Sequence, residues 1–316
     1  MSRIHEALKK AEQERATVHA VETVAATEAS PTAMEPRADN LPPISEQPLP
    51  RGGVNVPRAG NYLRFDDLRL HCAHPQWNLD PNVNVFFNPN LSAHCAEQFR
   101  TLRSRLYQLR SNQPLRTLLV TSSVMGEGKT FTTNNLAQAI VRQPDRRVLI
   151  IDADLRCSRL HVPLGAPASP GLTDYLRGEA DEMAVIQHGQ EGNLCFIAGG
   201  NEVTNPSELL FNGRLKALLE QVTPVFDWVI LDSPPCLPVA DASILADLCD
   251  GVLMVVKAGS TPASVAQRAC QELQGRSLVG VVLNSIEEAH TYGSHYYQSY
   301  AYGNIYGQHD SKDNHK

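Results

Sequence analysis

The sequence lacks three features whose absence narrows the possible functions. It has no basic excess, because 28 Lys and Arg stand against 34 Asp and Glu for a formal net charge of −6, whereas broad binding to nucleic-acid phosphates requires surplus positive charge. Its longest apolar runs, such as 252–256, have the length of a strand, and a bilayer helix needs about 20 apolar residues. The start MSRIHEALKK lacks the apolar core of a secretory signal. We expect a cytoplasmic protein that binds no nucleic acid and has no membrane span.

Paired cysteines are also missing. The chain has seven cysteines, an odd number, and none forms a CxxC pair, so a disulfide framework is not expected. His71, Cys72 and His74 lie close together in the sequence but lack a second ligand pair at zinc spacing. We expect buried, reduced thiols.

The first 90 residues divide into three segments by composition. Residues 1–15 have the pattern of a short amphipathic helix, with Ile4, Leu8 and Ala11 on one face; such a helix either docks on a partner surface or frays. Residues 16–60 contain seven of the 21 prolines and are typical of a flexible linker. Residues 61–90 are predicted to be an extended lead-in to the following domain.

Strand and helix patterns alternate over residues 91–288. Helices are predicted at about 92–111, 129–142, 207–221, 240–248 and 261–274. Apolar β-rich runs occupy 117–120, 148–151, 194–197, 228–231, 252–256 and 278–283. Short, nearly continuous apolar strands that alternate with helices indicate an α/β domain with a mostly parallel sheet flanked by helices on both faces.

A phosphate-binding loop follows the first predicted strand. The run from Thr121 to Thr130, TSSVMGEGKT, fits the pattern G-x-x-x-x-G-K-[ST] except that Ser123 replaces the first glycine. Glycines let backbone amides approach phosphates, the lysine reaches the β- and γ-phosphates, and the hydroxyl ligates Mg²⁺. The sequence therefore predicts a P-loop NTPase fold that uses ATP and Mg²⁺.

Acidic residues end two later strands. Asp152 and Asp154 follow the run 148–151, and Asp232 follows the run 228–231. Because parallel strands end at the same edge of a sheet, these carboxylates are expected beside the phosphate loop. We predict Mg²⁺ binding by Thr130, Asp152 and Asp232, and catalysis by Lys129, Asp152, Asp154 and Asp232. Whether Asp152 or Asp154 serves as the base stays open.

The predicted nucleotide-binding set combines the phosphate loop with the end of the last strand. Asn284 has the chemistry to hydrogen-bond an adenine edge, although asparagine is equally common as a turn residue. The set is Gly126, Glu127, Gly128, Lys129, Thr130, Phe131 and Asn284.

These motifs together resemble the bacterial tyrosine kinases of capsule and exopolysaccharide biosynthesis, known as BY-kinases. The resemblance covers about residues 92–306. It rests on the GEGKT core, on the additional Walker element VLIIDADLR at 148–156, on Asp232 in the strand before Pro235, and on the NPSELL segment at 205–210. Partition and division-site ATPases are the families most easily confused with these kinases, and their signature lysine falls at Val124 here, which favours the kinase.

The resemblance also implies an oligomer. The run from Glu97 through Arg100 to Arg103 is similar to the ExxRxxR motif that this family uses for ring assembly. At spacings of three these side chains share one helix face. A solvated charged face with an internal ion pair is the other interpretation.

Six of the nine tyrosines lie within fifteen residues of the C-terminal region: Tyr292, Tyr296, Tyr297, Tyr300, Tyr302 and Tyr306. Residues 289–316 have no helix or strand period and are predicted to be a flexible tail. The resemblance implies that these tyrosines accept the γ-phosphoryl group of ATP bound to a neighbouring subunit.

The resemblance thus implies an autokinase that regulates polysaccharide polymerisation and export. It also implies a separate membrane-bound co-polymerase that activates the kinase at the inner face of the cytoplasmic membrane. The alternative is a P-loop ATPase that works as a nucleotide-dependent assembly or positioning switch, with the tyrosines serving as contacts.

Overall fold

The computed structural model describes residues 63–88, 93–189 and 192–286. The predictions for residues 1–15, 16–60 and 289–316 lie outside these ranges. Within them the chain passes in order through α1 (Phe65–His71), α2 (Ala93–Asn112), β1 (Thr117–Ser122), α3 (Lys129–Val141), β2 (Val148–Asp152), α4 (His161–Leu164), α5 (Leu172–Arg177), α6 (Glu182–Val185), β3 (Ile186–His188), β4 (Leu194–Ile197), α7 (Pro206–Phe211), α8 (Arg214–Val222), β5 (Trp228–Asp232), α9 (Asp241–Ala246), β6 (Gly251–Lys257), α10 (Ala263–Glu272) and β7 (Leu278–Asn284).

Seven strands form one sheet in the order β3-β4-β2-β5-β1-β6-β7. Every neighbouring pair is parallel except β3 with β4, which is antiparallel. The register places Asp152 opposite Asp232 across β2 and β5. The predicted α/β fold with a mostly parallel sheet is therefore confirmed.

Apolar side chains cover both faces of the sheet. On β2, Leu149 and Ile151 join one apolar cluster, whereas Val148 and Ile150 join the cluster on the opposite face. This division follows from the two-residue period of a strand, and it explains why the central strands are nearly continuous apolar runs. The two apolar layers thus enclose the sheet and leave polar groups at its carboxyl-terminal edge.

Within the sheet domain the structure differs from the sequence prediction at one split helix and at four short elements that were not predicted, namely β3 and the helices α4, α5 and α6. The helix predicted over 207–221 is two helices, α7 and α8, separated by Asn212 and Gly213. Gly213 has a φ of +80°, in the left-handed region that favours glycine, and this turn breaks the helical path. Strand β3 was not predicted, because three residues, Ile186 to His188, are too few to show a period.

Residues 63–88, which we call the lead segment, are not extended throughout as predicted. They begin with helix α1, whose Phe65 and Leu68 are buried in the core. The segment then runs along the domain, where Ala73 forms a parallel bridge to Gln187 of β3. The prolines that suggested an extended path, at 75 and 81, lie after α1.

Within the described part of the chain, no helix is both long enough and apolar enough to cross a membrane.

Candidate active site

The phosphate loop lies between β1 and α3. Gly126 and Gly128 have φ values of +82° and +93°, which glycine adopts without strain. A Cβ at Gly126 would meet no atom within 4 Å, whereas one at Gly128 would stand 2.0 Å from Nδ2 of Asn284. The loop therefore has an open side at Gly126 and a closely packed side at Gly128.

The Glu127 side chain connects the phosphate loop to β6. It is 2% exposed, and its carboxylate accepts hydrogen bonds from the backbone N–H of Val124 at 2.8 Å and of Lys257 at 3.3 Å. The hydroxyl of Thr261 donates to the same carboxylate. The side-chain oxygens of Glu127 thus bind the loop, the end of β6 and Thr261, and the nucleotide contact of Glu127 stays a prediction.

Lys129 and Asp154 form a buried ion pair at the start of α3. The lysine Nζ donates to Oδ2 of Asp154 at 2.9 Å, with 15% and 4% of the two side chains exposed. Burial by itself lowers the pKa of Lys129, but the charges of Asp232 and Asp154 outweigh it, so the pKa is raised and the lysine is positively charged. An ammonium held in this way is a ready partner for phosphate oxygens.

Thr130 and Asp232 meet at the neighbouring position. The Thr130 hydroxyl donates to Oδ2 of Asp232 at 2.6 Å, and Thr133 donates to Oδ1 at 3.3 Å. Burial raises the pKa of Asp232 to about 6, and the charge of Lys129 opposes this rise. A hydroxyl and a carboxylate in contact are the oxygen ligands that Mg²⁺ accepts alongside phosphate.

Asp152 is tied into the loop that follows β2. Its carboxylate accepts hydrogen bonds from the Ser158 hydroxyl at 2.7 Å, from the Leu160 N–H at 2.9 Å and from the Asp154 N–H at 3.2 Å. Burial, and next the charge of Asp232, raise the pKa of Asp152 to about 7. Ser158 was not singled out by the sequence, because a serine six residues after the acid matches no local pattern.

Two members of the predicted nucleotide set have other partners. Asn284 donates from Nδ2 to the Glu127 carbonyl at 2.9 Å, which joins the end of β7 to the phosphate loop. The Phe131 ring packs edge-on against Phe99 of α2, with 5.8 Å between centroids. Asn284 thus lies at the phosphate loop, whereas the Phe131 ring contacts α2.

Arg156 extends the site towards α7 and α9. Its guanidinium binds both carboxylate oxygens of Asp241, at 2.6 and 3.1 Å, and Asp241 is 1% exposed. The Ser207 hydroxyl contacts Arg156 at 3.0 Å and also donates to Asp241. No sequence pattern indicated Asp241, because an acid in the first turn of a helix is ordinarily explained by the positive end of the helix dipole.

The expected ring motif makes intramolecular contacts in this chain. Glu97 and Arg100 form an exposed ion pair, and the Arg100 guanidinium also lies 5.8 Å from the centroid of the Phe86 ring. Arg103 donates instead to the backbone carbonyl of Ala139 in α3. Glu97 and Arg100 thus remain at the surface, whereas Arg103 joins two helices of the same chain.

The donors around Asp232 suit a Mg-nucleotide better than a metal held by protein alone. In the three described ranges, no group of three or more His, Cys, Asp and Glu side chains is arranged to hold a metal ion. Mg²⁺ is ordinarily bound by one or two protein groups and completes its shell with phosphate oxygens and water. Thr130 and Asp232, next to the charged Lys129 and the open side of the loop at Gly126, fit that requirement.

Comparison with known proteins identifies the family. Residues 116–264 match the family described as the AAA domain. The tyrosine-protein kinase CpsD of Streptococcus agalactiae is 33% identical over 220 residues, which cover 68% of this chain and 91% of that protein. The tyrosine-protein kinase YwqD of Bacillus subtilis is 34% identical over 191 residues, which cover 60% of this chain and 80% of that protein. This chain belongs to the bacterial tyrosine-protein kinases.

The kinase matches only part of the longer members of its family. The tyrosine-protein kinase etk of Escherichia coli K12 is 35% identical over 207 residues, but the match covers 28% of that protein. The solved kinase domain of E. coli ETK has a TM-score of 0.61 at 35% identity and covers 67% of this chain and 82% of that domain. The shared region is therefore the kinase domain, with its P-loop fold.

Proposed function

We propose that this kinase transfers the γ-phosphoryl group of Mg-ATP to the clustered tyrosines at 292–306 of a neighbouring copy of the chain. The observation that carries the proposal is the assembly of Lys129, Thr130, Asp154 and Asp232 at one edge of the sheet, from three separate elements. Phosphoryl transfer depends chiefly on positioning and charge stabilisation, which is what this group of side chains supplies.

The contacts of each residue support the role that we propose for it. Lys129 offsets the negative charge of the transferred group, and Thr130 and Asp232 hold Mg²⁺, which neutralises phosphate charge when bound. Phosphate oxygens and Asp154 compete for the Lys129 ammonium, since both are its acceptors. We assign orientation of the acceptor hydroxyl to Asp154. Asp152 is named above among the predicted Mg²⁺ ligands, but its oxygens hold the loop at Ser158 and Leu160, so we assign it instead the role of keeping Asp154 in place.

The acceptor tail starts close to this site. Asn284 contacts the phosphate loop at the end of β7, and Tyr292 follows eight residues later in the chain. Eight residues span at most about 27 Å and the 22 residues to Tyr306 at most about 75 Å, at about 3.4 Å per residue. The covalent reach therefore covers the chain's own site, and the choice of an adjacent copy as the source of the phosphoryl group rests on the family resemblance.

We further propose that phosphorylation regulates polysaccharide polymerisation and export through a ring-shaped homo-oligomer and a separate membrane-bound co-polymerase. Each phosphate adds about −1.5 to −2 charges, so several on one tail repel one another and the acidic residues at the site. Phosphorylation is thereby expected to disfavour the ring.

The test is incubation of the purified chain with Mg-ATP, followed by phosphotyrosine detection and phosphosite mapping. We expect phosphate on the 292–306 cluster, no signal from Lys129→Met, and normal signal from Lys216→Met, which removes an exposed lysine on α8. A wild-type chain that hydrolyses ATP and assembles without forming phosphotyrosine would instead establish the assembly switch.

A further inference from the structure

Asn84 of the lead segment contacts both α3 and α4. It is fully buried, and its Nδ2 donates to the Pro163 carbonyl of α4 and to the Asp80 carbonyl, each at 2.7 Å. Its Oδ1 accepts a hydrogen bond from Nδ2 of Asn134 in α3 at 2.7 Å. One side chain thereby joins α3 to α4.

These two helices carry the groups that must meet in the reaction. Helix α3 begins with Lys129 and Thr130. Helix α4 begins one residue after Leu160, whose N–H holds the carboxylate of Asp152. Thus Lys129 lies on α3 and its partner Asp154 lies in the loop before α4. Asn84 connects α3 to α4 through Asn134 and Pro163.

A second polar contact fixes the lead segment to α3. The amide of Asn135 accepts from the Val85 N–H at 2.8 Å and donates to the Val83 carbonyl at 2.9 Å, as a peptide group in a sheet would do. Asn134 and Asn135 are both fully buried. Among the described residues, Asn84 is the one hydrogen-bond partner of the Asn134 side chain, so its removal leaves a buried amide unpaired, which is costly.

The lead segment packs closely against two glycines and an arginine of the domain. A Cβ at Gly165 would stand 2.1 Å from the Asn78 carbonyl oxygen, and one at Gly189 would stand 2.6 Å from the Trp77 ring. The guanidinium of Arg142 lies 5.1 and 4.8 Å from the ring centroids of Phe86 and Phe87, which is cation–π distance. The surface that contacts the lead segment thus extends from the residue after β3 to the end of α3.

We propose that Asn84 is a positioning residue for phosphoryl transfer, which sets α3 against the loop before α4 and so aligns Lys129 with Asp154. The inference rests on the proposed use of this edge of the sheet as the phosphoryl-transfer site. The phosphate loop is continuous with α3, so loss of Asn84 leaves nucleotide binding largely intact and impairs the transfer step, which needs residues from both elements.

The test compares Asn84→Ala with Asn82→Ala, since Asn82 lies in the same turn, is exposed, and bonds only to Asp80 within the described residues. Rates are divided by the measured number of bound nucleotides, which removes any effect of an inactive fraction. We expect kcat to fall about 10-fold or more in Asn84→Ala, as misplaced groups do, with the KM for ATP within about 3-fold of wild type. Unchanged kcat, or an equal fall in Asn82→Ala, overturns the proposal.

Hydrogen exchange separates this inference from the proposed function. In Asn84→Ala, but not in Asn82→Ala, we expect faster exchange in both 129–141 and 161–165, whether or not the chain forms phosphotyrosine. Unchanged exchange overturns the role of Asn84, whereas absent phosphotyrosine in the wild type overturns the proposed function. Asn84→Ser, which keeps a hydroxyl, is measured in the same way if Asn84→Ala does not fold.

Discussion

Gly128 and Asn284 are packed so closely that no room is left for a side chain at position 128. Asn284 lies 2.0 Å from the position a Cβ at Gly128 would take, and its amide donates to the adjoining Glu127 carbonyl. The closeness of the two explains why the loop requires glycine at this point for a steric reason as well as a conformational one.

We predict that Gly128→Ala weakens nucleotide binding at least 10-fold and lowers the free energy of unfolding by more than Gly126→Ala does. Both substitutions place alanine at positive φ, which costs about 1–2 kcal/mol, but only Gly128→Ala adds a clash. Nucleotide titration and chemical denaturation measure the two effects. The double variant with Asn284→Ala is expected to recover part of the stability; equal losses for the two single variants would refute the steric argument.

The acidic residues show what a sequence pattern can and cannot predict. Their convergence was predictable, because parallel strands end at one edge of the sheet. The partner of each carboxylate was not predictable, because it depends on tertiary contacts: Asp154 reaches Lys129, while Asp152 is held by Ser158 and Leu160. Glu127 lies in the motif itself, yet its side chain faces β6, a direction that the loop sequence does not encode.

Helix α2 joins the expected ring motif to the domain. Arg103 points inwards to the carbonyl of Ala139 in α3, and Arg100 stays at the surface beside Glu97 and Phe86. The two arginines are therefore expected to differ in what they stabilise.

Arg103→Ala should lower the free energy of unfolding by about 1.5–3 kcal/mol, the range for a hydrogen bond to a charged group. Arg100→Ala should cost about 0–1 kcal/mol, since exposed ion pairs contribute little, but should weaken oligomer formation. Chemical denaturation and analytical ultracentrifugation measure the two quantities. Equal stability losses, or an unaltered oligomer in Arg100→Ala, would argue against this division.

Elements with a continuous apolar run or a helical period were predictable from the sequence, and elements with neither were not. Strand β4 was predicted at its observed bounds because its four residues, Leu194 to Ile197, form a continuous apolar run. Helix α1 was missed because the prolines that follow it favoured an extended path. Strand β3 depends on its pairing with β4 and Ala73, which are distant contacts that three residues cannot signal.

The reach of the tail makes the direction of transfer an experimental question for the assembled kinase. The chain's own site lies within the covalent span of the tail, by the estimate of about 3.4 Å per residue, whereas transfer between copies is the route that we propose. Complementary variants separate the two routes.

We predict that phosphotyrosine forms when two variants are mixed, although neither variant forms it alone. One carries Lys129→Met with all six tail tyrosines intact, and the other has an intact site with the same tyrosines changed to Phe. Phosphate should form on the Lys129→Met chain, because the intact site of its neighbour supplies the transfer. Detection by mass spectrometry identifies the labelled chain, with each variant alone as control; no label in the mixture would indicate transfer within one chain.

The two edges of the sheet are unlike each other. Ala73 bridges to β3 at one edge, whereas β7 at the other edge pairs only with β6 in the described ranges and exposes Val281 and Leu283 by 48% and 60%. An uncovered apolar edge strand is a template for unwanted pairing with another chain. Aggregation of this kinase at high concentration should therefore begin at β7, and Leu283→Lys should raise the protein concentration at which light scattering detects aggregates.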